Sequence, residues 1–233
     1  MRFVAEGVNR LGASFDRYLD ALPWVVGALV VTSCVHEAGH AWAAWRLGDR
    51  REAIRRRISP LSLSHISWLF TVLLPSALFL ATGMLIGGAR PVMVSTAAIS
   101  PKKMVLVAIA GPMGNFLVGT MTLAAIAALI HGGVISSLDD YYRYLHLAAG
   151  LSFFLGLLNL LPIPPLDGSR VLAAFLPERL RNLYYGLTIY AVVAFFVVFF
   201  YLGRQHPEKL AFIDTFFRKT VPGWTAQILE WIN

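Results

Sequence analysis

Five long apolar runs, separated by short polar stretches, organise the chain. They cover residues 21–45, 66–86, 104–130, 145–161 and 184–202. Each is long enough, or nearly so, to cross about 30 Å of hydrocarbon at about 1.5 Å of helix per residue. Open strands are excluded there because lipid offers no partner to unpaired backbone groups. The pattern predicts an all-α integral membrane protein, a bundle of about five to six transmembrane or re-entrant helices.

Composition narrows the class of protein further. Apolar residues make up 57% of the 233 residues, and charged residues only 14%, against about 25% in an ordinary soluble domain. These charges are too few to cover a soluble globule, so a soluble domain and a disordered chain are excluded. The single cysteine, Cys34, excludes a disulfide scaffold. We expect a multi-pass protein of the cell membrane, with the lipid bilayer as its surroundings.

The net charge of +7 could indicate nucleic acid, but its distribution argues otherwise. Basic residues flank the apolar runs, as membrane anchors do, so we expect no nucleic-acid partner. The densest group contains six arginines, Arg46, Arg50, Arg51, Arg55, Arg56 and Arg57.

The membrane topology depends on the second apolar run. If this run is a re-entrant hairpin bent at Pro75, the six arginines share one side with Arg90, Lys102 and Lys103. If the run spans fully, the two groups lie on opposite sides. We favour the hairpin, which makes their shared side cytoplasmic and brings the active site near it.

The domain boundaries follow from the same pattern. We assign residues 1–203 to one polytopic membrane domain and residues 204–233 to an amphipathic C-terminal segment. Aromatic and charged residues alternate in that segment, which is typical of a helix lying on the membrane surface. A tail packed against the domain is an equally good interpretation.

The sharpest motif is His36-Glu37-Ala38-Gly39-His40, inside the first apolar run. Histidines four residues apart share one face of a helix, so both imidazoles can reach one Zn²⁺. Glu37 can then act as general base toward a water molecule at the metal. It is the only acidic residue of its run, and charge inside a membrane is costly unless it is functional. The alternative is a bonded cluster of two core histidines and a glutamate.

A candidate third ligand is Asp167, which follows the proline-broken end of the fourth apolar run. Prolines end helical hydrogen bonding, and Gly168 permits a sharp bend, so Asp167 could point back into the bundle. Taken alone, the residues favour an Asp–Gly turn at the membrane surface over a ligand.

Three stretches in order, residues 36–40, 110–115 and 159–168, resemble the site-2 protease family of intramembrane zinc metalloproteases. The resemblance covers about Val26 to Val171 and fits the compact branch without a PDZ or CBS domain. It implies one Zn²⁺ per chain bound by His36, His40 and Asp167, with Glu37 as catalytic base. It also implies a transmembrane protein substrate, often a regulator already trimmed by another protease.

Three further residues are candidates for substrate-binding or supporting roles. Asn159 matches an asparagine that the family uses near the substrate backbone, and the alternative is a helix-capping or interhelical amide. Asn115 lies one turn after Gly111-Pro112, and bracing of the site is the favoured role. His65 could donate to an oxyanion, although an interfacial histidine without a role is the favoured interpretation.

The loop from Asp49 to Ser64 departs from the family pattern in its arginine content. In relatives a β-hairpin near this part of the chain can lie at the substrate entrance. Residues 53–63 or 91–98 could supply such an edge and pair with an unwound substrate.

The sequence therefore predicts a zinc-dependent metalloendopeptidase that cleaves within or near a transmembrane helix. Two rival functions use the same residues differently. A metal-binding or metal-transporting membrane protein would need the ligands but not Glu37. An inactive scaffold that binds helices would need none of these ionisable groups. A regulatory membrane partner and a homo-oligomer both remain open.

Overall fold

The computed structural model describes residues 2–82, 85, 87–136, 140–206, 212 and 215–232. These residues form nine α-helices: α1 (Arg2–Leu47), α2 (Glu52–Arg55), α3 (Leu74–Thr82), α4 (Pro101–His131), α5 (Asp140–Asn159), α6 (Asp167–Ala173), α7 (Glu178–Gly186), α8 (Thr188–Gln205) and α9 (Val221–Ile232). A 3-10 turn lies at Leu63–His65, and π-helical stretches lie at Trp68–Leu73 and Phe216–Thr220. The all-α class is confirmed. No strand occurs in the described ranges, so the predicted β-hairpin is not confirmed at residues 53–63 or 91–98.

Helices α1, α4 and α5 pack against one another and form the centre of the molecule. Glycines set the approach of α4 to α5 from both sides. A Cβ atom on Gly119 would lie 2.8 Å from the ring of Phe153, and one on Gly156 would lie 2.8 Å from the ring of Phe116. On each helix a glycine therefore packs against a phenylalanine ring of the other helix. Small residues permit this close packing of helices inside membranes.

Two helical stretches are long and apolar enough to cross a membrane, Tyr18–Leu47 within α1 and Pro101–His131, which is α4. The search behind this finding covers only the described residues, and the predicted number of five to six spans is not confirmed. The two helices carry the motif histidines and the Gly111-Pro112 pair respectively. The candidate site is therefore built between these two stretches.

The second apolar run returns to the end of the bundle from which it starts. Its helical part, from Trp68 to Thr82, is about 22 Å long at about 1.5 Å per residue, too short for a full span. By Gly88 the chain is again beside Phe70, whose carbonyl accepts the Gly88 N–H at 3.0 Å. Whether this run re-enters or spans a membrane stays a prediction. The bend does not lie at Pro75, because the stretch stays helical through that residue.

The C-terminal residues 221–232 pack against α4 and α5. Val221 is fully buried, and the Trp224 ring meets Phe153 edge-on at 4.9 Å between centroids. The His146 ring is joined to the Thr225 hydroxyl at 2.7 Å. Residues 207–211, 213, 214 and 233 of the predicted surface segment lie outside the described residues, and its position on a membrane surface stays a prediction.

Candidate active site

The two motif histidines occupy one face of α1, one turn apart. Their ring centroids are 4.6 Å apart, and the His36 Nε2 and His40 Nε2 atoms are 3.0 Å apart. Both side chains are buried, at 8% and 3% exposure. The spacing of four residues along a continuous helix is what brings the two Nε2 atoms together.

Asp167 joins the two histidines from another part of the chain. Its Oδ2 atom lies 2.9 Å from His36 Nε2 and 3.1 Å from His40 Nε2. Asp167 is the first residue of α6 and is only 6% exposed, so it does not form the surface turn that the residues alone favour. Gly168 permits this position because a Cβ there would overlap the Leu160 carbonyl.

These three residues, hereafter the metal triad, have the donor set and spacing of a metal site. Two imidazole nitrogens and one carboxylate oxygen are typical ligands of catalytic zinc, which keeps a fourth position open. Ligand atoms around tetrahedral zinc lie about 3.3 Å apart, a few tenths of an ångström wider than the distances seen here. His36, His40 and Asp167 can therefore hold one ion after a small outward shift.

The space beside the metal triad depends on a glycine of α4. A Cβ on Gly111 would lie 2.8 Å from His36 Nε2 and closer still to His40 Nε2. A Cβ on Gly39 would lie 2.6 Å from the Ala110 carbonyl oxygen. Both glycines permit α1 and α4 to approach closely, and Gly111 leaves room next to the converging ligand atoms. The residues present thus fit a bound ion.

Neighbouring groups orient two of the three triad residues. His40 donates its Nδ1 hydrogen to the Val107 carbonyl at 2.7 Å. This bond leaves Nε2 without a proton in the neutral ring, the tautomer that a metal needs. Arg170 donates to the Asp167 Oδ1 atom at 3.4 Å, while Oδ2 faces the histidines. The His36 Nδ1 atom is buried and has no protein partner among the described residues.

Glu37 faces a different element. Its Oε2 atom accepts the Val92 N–H at 2.7 Å, across 55 residues of sequence. Val92 belongs to an irregular segment, residues 90–95, which we call the strap. Glu37 is 9% exposed and Val92 is 3% exposed, so this bond is shielded from bulk water. Sequence reasoning did not find Val92, because a backbone donor carries no residue signature.

The supporting residues have partners of their own. Asn159 donates to the Leu155 carbonyl at 2.9 Å within α5. Asn115 is 1% exposed on α4, and its Oδ1 atom has no partner among the described residues. In the described part of the chain the metal triad has no hydrogen bond to Asn159, Asn115 or His65. The roles of these three residues stay predictions.

Both ring nitrogens of the fully buried His65 are occupied. Its Nε2 atom donates to the Ser59 carbonyl at 3.0 Å, and its Nδ1 atom faces Arg57 Nη2 at 3.4 Å. Burial lowers the pKa of His65, and the charge of Arg57 adds to that effect. The ring is therefore neutral, with Nδ1 as the acceptor of the Arg57 hydrogen.

Comparison with known proteins gives a consistent result. Residues 24–142 and 122–203 match the description of peptidase family M50. Two similar proteins carry the name "Putative zinc metalloprotease". YwhC of Bacillus subtilis is 28% identical over 196 residues, which cover 79% of this chain and 85% of YwhC. Rip2 of Mycobacterium tuberculosis is 34% identical over 173 residues, which cover 71% of this chain and 62% of Rip2. No solved structure matches the chain.

Proposed function

The chain belongs to peptidase family M50 and is a zinc metalloprotease, and from that premise we propose that it hydrolyses a peptide bond within or near a transmembrane helix of a membrane-protein substrate. The observation that carries the proposal is the convergence of His36 Nε2, His40 Nε2 and Asp167 Oδ2 between two candidate membrane-spanning helices. We assign these three residues as the ligands of one Zn²⁺. The three residues would hold the metal beside two candidate membrane-spanning helices, which favours a substrate inside the bilayer.

Glu37 is assigned as the catalytic base. Bound zinc supplies Lewis-acid chemistry, which lowers the pKa of water and polarises the scissile carbonyl. The Glu37 carboxylate takes the proton of the attacking water and delivers it to the leaving amine. Its position directly after His36 would place it near the metal without making it a ligand.

The orientation in the membrane follows from the basic loops. Arg57 donates to the carbonyls of Arg90 and Pro91, so the arginine-rich loop and the strap lie at the same end of the bundle. We assign this end to the cytoplasm, where basic residues accumulate. The substrate class is that of regulated intramembrane proteolysis, a single-span membrane protein whose helix unwinds before cleavage.

Two rival functions, a metal carrier and a helix-binding scaffold, are distinguished from a protease by whether they need Glu37. A metal carrier uses the metal triad but has no need of a carboxylate that is not a ligand. A scaffold that only binds helices has no need of three converging ligand atoms in a buried site. Neither function explains why a buried acid, Glu37, directly follows the ligand His36 without being a ligand itself.

The test compares wild type, Glu37→Gln and the matched control Glu52→Gln, purified as full chains in detergent. Glu52 is an exposed acid of α2. Each protein is analysed for bound zinc and for cleavage of a panel of transmembrane peptides. We expect about one zinc per chain in all three and cleavage by wild type and Glu52→Gln only. Cleavage by Glu37→Gln at the wild-type rate would contradict the assignment of the base.

A further inference from the structure

The strap is held over the site by Arg57, a residue of the arginine-rich loop. Arg57 Nη1 donates to the Pro91 carbonyl at 2.7 Å, and Nη2 donates to the Arg90 carbonyl. The Arg90 N–H in turn donates to the His65 carbonyl at 2.8 Å. One guanidinium group thus binds the two carbonyls that immediately precede Val92, whose N–H binds Glu37.

A second pair of side chains fixes the far end of the strap. Asp49 is fully buried and forms a two-bond pair with Arg51, each bond 2.7 Å long. Arg51 also donates to the Met93 carbonyl at 2.7 Å, and Asp49 accepts the Ser95 N–H at 2.8 Å. The strap backbone on both sides of Val92 is therefore bound to the loop that follows α1.

These bonds bear on the predicted substrate edge. The carbonyls of Arg90, Pro91 and Met93 are already occupied by arginine side chains. A carbonyl oxygen has two lone pairs, so these bonds reduce the capacity of the strap to pair with a substrate strand without abolishing it. In this conformation the strap carbonyls are bound to the arginine-rich loop and the Val92 N–H is bound to Glu37.

The environment of Arg57 is unusual for a loop arginine. The guanidinium is half-buried, and its Nε atom is buried without a partner among the described residues. Burial lowers the pKa of Arg57, and the negative charge of Glu37 opposes that shift. Burying a cation is costly unless specific bonds compensate for it. Here two strap carbonyls and the Nδ1 atom of His65 accept its hydrogens.

We propose that Arg57 is a positioning residue for the catalytic base: by holding Arg90 and Pro91 it aims the Val92 N–H at Glu37 and fixes the orientation of that carboxylate. The inference rests on the proposed role of Glu37. A base must stay within hydrogen-bond reach of the proton that it removes. The Val92 N–H occupies one carboxylate oxygen, which restricts rotation of the side chain and leaves the second oxygen for the water.

The test replaces Arg57 and its neighbour in full chains purified in detergent. Arg57→Gln removes the cation, and Arg56→Gln is the matched control, because Arg56 is exposed and pairs with Glu52 rather than with the strap in the described part of the chain. We expect Arg57→Gln to lower kcat by roughly ten- to hundredfold, with KM and bound zinc unchanged. Arg56→Gln should match wild type. Arg57→Lys should recover part of the kcat, since one ammonium group can still bind a strap carbonyl.

A second readout does not require proteolysis. We expect amide hydrogen exchange in the peptide covering residues 88–95 to become faster in Arg57→Gln and to stay unchanged in Arg56→Gln. Unchanged exchange in Arg57→Gln would overturn the proposal even if no peptide of the panel is cleaved by wild type. So would a kcat equal to or above wild type, a change confined to KM, or loss of zinc, since each places the effect of Arg57 elsewhere than on Glu37.

Discussion

His36 and Glu37 are adjacent in sequence, yet the structure holds the metal triad and the Glu37 carboxylate in different ways. The metal triad consists of side chains on packed helices, and glycines permit the close approach of α1 and α4. The Glu37 carboxylate is held by one backbone N–H of the strap, which is itself held by arginines. The geometry of the metal triad thus depends on helix packing, whereas the orientation of Glu37 depends on a loop segment and the arginines that hold it.

The largest expected effect comes from filling the space beside the metal triad. Gly111→Ala places a methyl group against both Nε2 atoms, on helices whose backbones cannot separate without losing packing. We expect zinc to be lost and cleavage to fall by more than about a hundredfold. Gly27→Ala is the control, since a Cβ at Gly27 meets nothing within 4 Å. Full zinc content in Gly111→Ala would mean that the helices yield, and the claim that helix packing fixes the metal triad would fail.

A smaller effect on zinc binding is expected from Arg170, which donates to the Asp167 carboxylate. Arg170→Gln removes the donor to Asp167 Oδ1 and leaves the three ligand atoms in place. Loss of such an outer partner typically lowers metal affinity by about ten- to hundredfold, and the 3.4 Å bond suggests the lower end. Competition with a chelator measures it, with the exposed Arg179→Gln as control. Equal affinities in the two variants would show that Asp167 is oriented by its backbone alone.

The smallest expected effect is a pH dependence at His65, on the strap side. Its pKa is lowered in the folded protein because burial and Arg57 penalise the charged ring. As pH falls below the ordinary histidine pKa of about 6.5, the unfolded chain takes up a proton before the folded one. Stability is therefore full above that pH and declines below it. We expect a fall of a few degrees in the unfolding midpoint between about pH 7 and pH 5.

His65→Gln, which cannot take up a proton, provides the comparison for this measurement. Its amide can still donate to the Ser59 carbonyl, the partner of the ring in wild type. The variant should lose less stability than wild type over the same pH range. An identical decline in the two proteins would assign the pH dependence to other groups.

The sequence was most informative where the chemistry depends on local spacing. His36 and His40 could be placed together because a helix repeats every 3.6 residues. The all-α class followed from the apolar runs. The sequence did not determine the number of membrane spans. The length of an apolar run alone does not distinguish a full span from a short helix such as α3.

Long-range placement was harder to predict. For Asp167 the residues alone favoured a surface turn, and only the resemblance indicated a ligand. In the structure Asp167 lies within 3.1 Å of both histidines, and Gly168 permits this position because it has no side chain to overlap Leu160. The role of Asp167 as a ligand stays a prediction. Val92 and Arg57 gave no signal, because their contacts join a backbone amide and a loop cation to groups more than thirty residues away.

The central claim is that His36, His40 and Asp167 bind zinc while Glu37 does not. The most direct measurement is the zinc content of wild type, Asp167→Ala and Glu37→Gln, purified side by side without chelators. The account predicts about one zinc per chain in wild type and Glu37→Gln, and little or none in Asp167→Ala. Full zinc in Asp167→Ala, or loss of zinc in Glu37→Gln, would contradict it.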